Sequence, residues 1–138
     1  MIRTALIAAA ALFSAAPAFA SDPASVALTF DATVKEGAIM VALYDEATYA
    51  GGQPIRAARI DVAGGEHSVT FEGLPAGEYG VKAFHDVNGN GEMDTNPFGM
   101  PTEPFAFSNN AVGNMGPAGW DRAKFTVDGA VSQTISIR

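Results

Sequence analysis

Three features of this chain predict an all-β fold. Apolar and polar residues alternate with period two, turn signals recur at fairly regular spacing, and no stretch beyond the first twenty residues has convincing helical periodicity. Together they predict one sandwich of seven strands.

The first strand is the alternation of Val26, Leu28 and Phe30 with Ala27, Thr29 and Asp31, which buries one face. Ile39 to Leu43 is a near-continuous apolar run after Gly37, which suits a central strand covered on both sides. Asp45 to Pro54 reads as a loop bending at Gly51-Gly52. Ile55 to Val62 is a third strand, Gly64-Gly65 a turn, and Glu66 to Phe71 a fourth strand. Gly73 to Gly77 turns the chain again. Tyr79, Val81 and Ala83 alternate with Gly80, Lys82 and Phe84 in a fifth strand, which runs straight into an acidic loop at Asp86. Ala123, Phe125 and Val127 give a sixth strand, Asp128-Gly129 reads as a hairpin turn, and Val131 to Ile137 is the seventh. This count and spacing point to an immunoglobulin-like or transthyretin-like β-sandwich.

Residues 1–20 read as a secretory signal peptide. Arg3 is their only charge, Ala5 to Ala16 is apolar, and Ala18-Phe19-Ala20 has the small-x-small form of a cleavage site. A membrane span needs ~20 apolar residues, and this run is shorter. Cleavage is expected after Ala20, which leaves a single domain over 21–138 in the periplasm or outside the cell. That product has 118 residues, enough to bury a core. It has no cysteine and therefore no disulfide, so a bound metal is the available staple. Without Arg3, seven Lys and Arg stand against fifteen Asp and Glu, a formal net charge of −8. Such a surface repels phosphate backbones, so nucleic acid and anionic membrane surfaces are poor partners. No later segment resembles a membrane span, so no membrane insertion is expected. A monomer is expected.

The segment from Pro97 to Gly119 is unlike the rest. Its 23 residues include four prolines and four glycines, and Glu103 is its only charge. Loops of this length are usually functional or disordered. Phe98, Met100, Phe105, Phe107 and Met115 are too apolar for disorder, so an ordered loop packed over the sandwich or a metal site is expected.

Asp86 to Asp94 has the form D-x-N-x-N-G-x-x-D. In a twelve-residue calcium loop, side chains at positions 1, 3, 5 and 9 and the carbonyl at 7 are ligands, with glycine at 6. Counting from Asp86, these are Asp86, Asn88, Asn90, Asp94 and the Glu92 backbone, with Gly91 at the sixth position. Position 12 is Pro97, which offers no carboxylate. Glu103 is the preferred source of the missing oxygens, because binding it would also order the long loop. The other sources are the Glu92 side chain and water. Two asparagines in place of aspartates lower the ligand charge and weaken the site. A Kd of roughly 10⁻⁴–10⁻³ M serves only outside the cytosol. Ca²⁺ is the expected ion, and Mg²⁺ is the poorer fit because it keeps several waters. The competing reading is a tight Asn/Gly turn held by hydrogen bonds alone.

His85 precedes this loop and can be read as half of an acid–base pair or as the residue that ends the strand and bonds to the long loop. With only His67 as a second imidazole, zinc or copper has little support. Ser108 lacks the glycine elbow of a nucleophile. Phe105, Phe107 and Trp120 form either a stacking platform for a sugar or peptide, or loop anchors at one end of the sandwich.

Gly73 to Val81, Phe84 to Asn96, Phe98 to Pro101 and Phe107 to Asn110, taken together, resemble the bacterial domain of unknown function 2141 over nearly the whole chain beyond residue 20. That family is uncharacterised, so the resemblance implies export and a sandwich but no activity. Leu74 to Asp94 also resembles the calcium-binding B-type repeats of bacterial surface adhesins, folded spacers that calcium stiffens. This implies Asp86, Asn88, Asn90 and Asp94 as ligands, with a departure at Pro97, where such repeats offer a carboxylate.

The expected function is that of an exported, non-enzymatic binding or structural module stabilised by a calcium-type loop, with a protein or carbohydrate partner. The alternatives are a sugar- or peptide-binding module using the loop aromatics, and a metal-assisted hydrolase using His85.

Overall fold

A computed structural model describes residues 24–113 and 116–137. The expected signal peptide and Met115 lie outside the described residues. Eight strands form two sheets. The first sheet has three strands: β1 (Ala24–Ala32) lies between β4 (Ser68–Leu74), which is antiparallel to it, and β8 (Ala130–Ile137), which is parallel. The second sheet has β2 (Ala38–Tyr44) between β3 (Arg56–Ile60) and β5 (Gly77–Asp86), all antiparallel. The far side of β5 is shared. β6 (Phe105–Phe107) pairs with Lys82 to Phe84, and β7 (Phe125–Val127) pairs with Gly77 to Tyr79.

The core follows from the period-two pattern. Val26, Leu28 and Phe30 from β1 meet Ile39, Val41 and Leu43 from β2 and Val81 from β5, all essentially inaccessible to solvent. Full burial of each such side chain favours folding by about 1.5–3 kcal/mol. Tyr79 sits at the entry of β5, and its hydroxyl donates to the Pro75 carbonyl at 2.5 Å. This bond from a strand start back to the preceding turn is the tyrosine corner of immunoglobulin-type sandwiches.

The structure corrects several sequence expectations. The described residues form eight strands, not seven. The additional one, β6, lies inside the Pro/Gly-rich segment. Asp128-Gly129 is not a hairpin turn, because β7 belongs with β5 and β8 with β1, so the chain changes sheets there. The expected Asp45–Pro54 loop contains a helical turn, α1 (Glu46–Tyr49). Asp45 caps it by accepting from the Thr48 amide while the Thr48 hydroxyl accepts from the Asp45 amide, a reciprocal box. Ala123 belongs to a second turn, α2 (Trp120–Ala123), rather than to a strand. β2 is central, as expected, but its outer residues Met40, Ala42 and Tyr44 are only partly covered. No helix among the described residues is long and apolar enough to cross a membrane.

Candidate metal centre and the loops around it

β5 delivers Asp86 to the edge of the sandwich, where the β1–β2 connection crosses it. Gly37, at φ +68°, makes that crossing possible: a Cβ there would run into the Asp86 carbonyl and the Val87 backbone. The chain then turns through a ladder of side-chain-to-backbone bonds. The Asp86 carboxylate, only 3 % exposed, accepts from the amides of Asn90 at 3.2 Å and Gly91 at 2.7 Å. Asn88 Oδ1 accepts from the Asn90 amide at 3.2 Å, and Asn90 Oδ1 from the Glu92 amide at 2.9 Å. Gly91 takes φ +81°, the left-handed conformation that position six of such a loop requires.

These bonds turn the polar side chains toward one another. The carboxamide nitrogens of Asn88 and Asn90 both donate to the Asp94 carboxylate, Asn90 at 2.7 Å. Residues 3, 5 and 9 of the loop are thus brought together, with Asp86 folded against the backbone beside them. The amide donors stand around Asp94 where positive charge is favourable. A cation among these groups would draw the Asn88 and Asn90 oxygens inward in place of their nitrogens. Among the described residues no three His, Cys, Asp or Glu side chains cluster as ligands would, so a cation here depends on the two carboxamides as well as on Asp86 and Asp94. Oxygen donors of this kind suit a hard cation of calcium type. The Glu92 side chain is exposed, and the structure records no bond from it to the other loop side chains.

Glu103 comes back to the same loop from the long segment. Its Oε2 accepts from the Val87 amide at 2.7 Å and its Oε1 from the Asp94 amide at 3.0 Å. The side chain is 8 % exposed. It therefore clamps the start of the loop to its end, a role the sequence reading did not assign. Between Asp94 and Glu103 the chain makes a small hairpin. Thr95 bridges Pro101, and Asn96 Oδ1 accepts from the amides of Phe98 and Met100. Phe98, at its tip, is 90 % exposed. The expected packing over the sandwich does not extend to this tip.

The remaining candidates are dispersed. His85 is fully buried, and its Nε2 faces the Glu36 carbonyl at 2.5 Å while its Nδ1 has no partner among the described residues. Its ring bonds the β1–β2 connection; only its backbone amide reaches the long segment, at Pro104. Phe105 and Phe107 meet edge to face at 5.9 Å and 74°. Phe107 is buried in a small cluster with Tyr49, Ala118 and Ala123, and Trp120 packs on Tyr49 at 5.5 Å. These three aromatics do not share one exposed plane. Ser108, wholly buried, plugs the gap between β6 and β7: it accepts from the Val81 amide at 2.9 Å and donates to the Ala123 carbonyl.

Comparison with curated proteins finds no match. A family model does match, over residues 31–135, from the end of β1 into β8 and including every element around the Asp86 loop. The chain therefore belongs to the family described as "Uncharacterized protein conserved in bacteria (DUF2141)".

Proposed function

We propose that the chain acts as an exported, non-enzymatic binding or structural module whose Asp86–Asp94 loop closes around a calcium ion. The supporting observation is the convergence of Asn88 and Asn90 on Asp94 beside the buried Asp86 carboxylate. The Glu103 clamp adds to it: ordering the loop also fixes the start of the segment that follows. An ion would then secure loops that the sandwich alone leaves at its edge, and loops held by a rigid scaffold are where binding residues concentrate. Weak affinity fits a compartment rich in calcium, in keeping with the signal-peptide features of residues 1–20.

Thermal unfolding in calcium, in magnesium and in chelator tests this reading. A ligand that binds only the folded state adds RT ln(1+[L]/Kd), about 2.7 kcal/mol at a hundredfold excess over Kd. Calcium is expected to raise Tm, magnesium to do so less, and Asp86→Ala to abolish the shift. Asp94→Asn, which leaves the Asp86 ladder intact, is expected to weaken it. Equal melting of the wild-type protein in all three buffers would leave only the hydrogen-bonded turn.

A further inference from the structure

Among the described residues, no helix or other sheet covers the outer face of the second sheet. It forms the floor of a groove of about 1240 Å³, walled on one side by Met93, Met100 and Pro101 of the loop after β5. This exceeds the roughly 300–1,000 Å³ of ordinary small-molecule pockets. The floor has a direction. At one end lie the Lys82 ammonium and the Tyr44 ring, with Lys82 Nζ 4.9 Å from the centre of that ring. Toward the other end, strand pairing sets Met40 beside Phe84 and Phe84 beside Phe105, and every one of these side chains is apolar. From Tyr44 to Met40 along β2 is about 14 Å at the usual rise of a strand.

Lys82 is the telling residue. It is partly buried, and burial holds its pKa below the usual lysine value. Its ammonium donates to the Tyr49 carbonyl at 2.5 Å and lies over two tyrosine rings. Among the described residues no carboxylate pairs with it; the single ion pair there is Lys124 with Glu78. Lysine has three donors, so the carbonyl leaves capacity unused. A partly buried charge without a counter-ion carries part of the cost of a fully buried one, and an anion arriving at this end would offset it.

We propose that this groove binds a single-chain acyl amphiphile with a carboxylate head, the head at Lys82 and the chain laid along Met40, Phe84 and Phe105 toward Met93 and Met100. The polarity of the groove selects this occupant. A wholly apolar ligand would leave Lys82 unpaired, and a multiply charged one would find a single cation, Lys82, among the residues that line the groove. Arg59, set opposite Met40 by the pairing of β2 with β3, stands at the β3 edge outside that lining. The floor and the Lys82 end are sheet, so recognition of the head does not rest on the calcium reading; only the wall at Met93 and Met100 belongs to the loop and the hairpin after it.

Titration calorimetry with dodecanoate and with dodecanol, in calcium and again in chelator, tests the proposal. One site is expected, with the carboxylate bound roughly tenfold more tightly than the alcohol, the equivalent of one ion pair partly shielded from water. Lys82→Met is expected to reduce that preference to under about twofold while leaving the alcohol's affinity nearly unchanged, and Lys82→Arg to keep it. Ala42→Trp, which fills the floor, is expected to abolish both. The selectivity of the wild-type protein is decisive even if a variant fails to fold. No binding of either ligand, equal binding of both, or concentration-dependent self-association that Ala42→Trp removes would overturn it; the last would assign the face to a second copy of the chain. A response to calcium without acyl binding would leave the cation site standing and this groove refuted.

Discussion

The sandwich and the segment from Asp86 to Glu103 are held by opposite means. In the sandwich, each strand buries alternate apolar side chains and pairs its backbone along a continuous register. Seven consecutive pairs join β2 to β5, and eight join β1 to β8. In the segment, carboxylates and carboxamides take the place of strand partners: Asp86, Asn88, Asn90, Asn96 and Glu103 together receive the backbone amides of Val87, Asn90, Gly91, Glu92, Asp94, Phe98 and Met100. Burial is insensitive to what is dissolved nearby. The loop's carboxylates are instead taken up by amide donors, and on the proposed reading a cation would compete with those donors for them. On that reading, stability and responsiveness to an ion fall to different parts of one small domain.

The largest expected effect lies in the sandwich. Leu28→Ala empties a fully buried position between the sheets and should lower stability by about 2–5 kcal/mol, read by denaturant unfolding. If the two regions are as separate as their bonding implies, the variant should keep whatever calcium-induced increment the wild-type protein has, because sites with no shared partners act additively. Loss of that increment in a folded Leu28→Ala protein would erase the distinction.

Glu103→Ala strikes the join. It leaves the Val87 and Asp94 amides without their acceptor, a cost of about 1–3 kcal/mol. Glu103→Gln keeps one acceptor oxygen and should cost less. Hydrogen exchange gives the sharper measurement: the Val87 and Asp94 amides should both lose protection in Glu103→Ala and only one of them in Glu103→Gln, while amides of β2 and β5 such as Val41 keep theirs. A uniform loss of protection would mean that Glu103 belongs to the global fold rather than to the loop.

The same contrast explains what could be read from the sequence. Alternation along Val26, Leu28 and Phe30, or Tyr79, Val81 and Ala83, reports burial directly, so seven of the eight strands were legible. The D-x-N-x-N-G-x-x-D spacing likewise announced a loop in which residues 86, 88, 90 and 94 gather. β6 escaped because Phe105-Ala106-Phe107 is too short to establish a period and stands among prolines. Its pairing is decided by β5, whose far side is left open there. The turns α1 and α2 span four residues each, about one helical repeat, so no periodicity announces them. The partner sheet of β8 was misjudged because Asp128-Gly129 satisfies a hairpin locally, whereas the parallel pairing with β1 is a choice made by the whole core. Glu103 as a clamp has no local signal: its partners, Val87 and Asp94, are sixteen and nine residues away and are contacted through their backbones.

The smallest expected effect concerns the second cluster of packed aromatics, which ties the end of the long segment to the sheet. Tyr49 donates its hydroxyl to the Ala118 carbonyl at 2.6 Å. Burial, with a smaller contribution from Tyr44, raises the Tyr49 pKa above 10.0. Burial also raises that of Tyr79, with a smaller push from Asp45. In the unfolded chain both phenols lose their protons near the ordinary value, while the folded protein retains them. The folded state then binds more protons, and stability must fall as pH rises through 10.0. Lys82 acts in the opposite sense. Its folded pKa lies below 10.5, so between the two values the unfolded chain binds the extra proton and stability gains from rising pH. Two phenols oppose one amine, and a net decline is expected above pH 10. Replacing both Tyr49 and Tyr79 with phenylalanine should turn that decline into a slight rise up to pH 10.5, measured by urea unfolding across the range. A decline that survives both substitutions would place the alkaline weakness in the sandwich or in the general charge of an acidic protein, and not in these two hydroxyls.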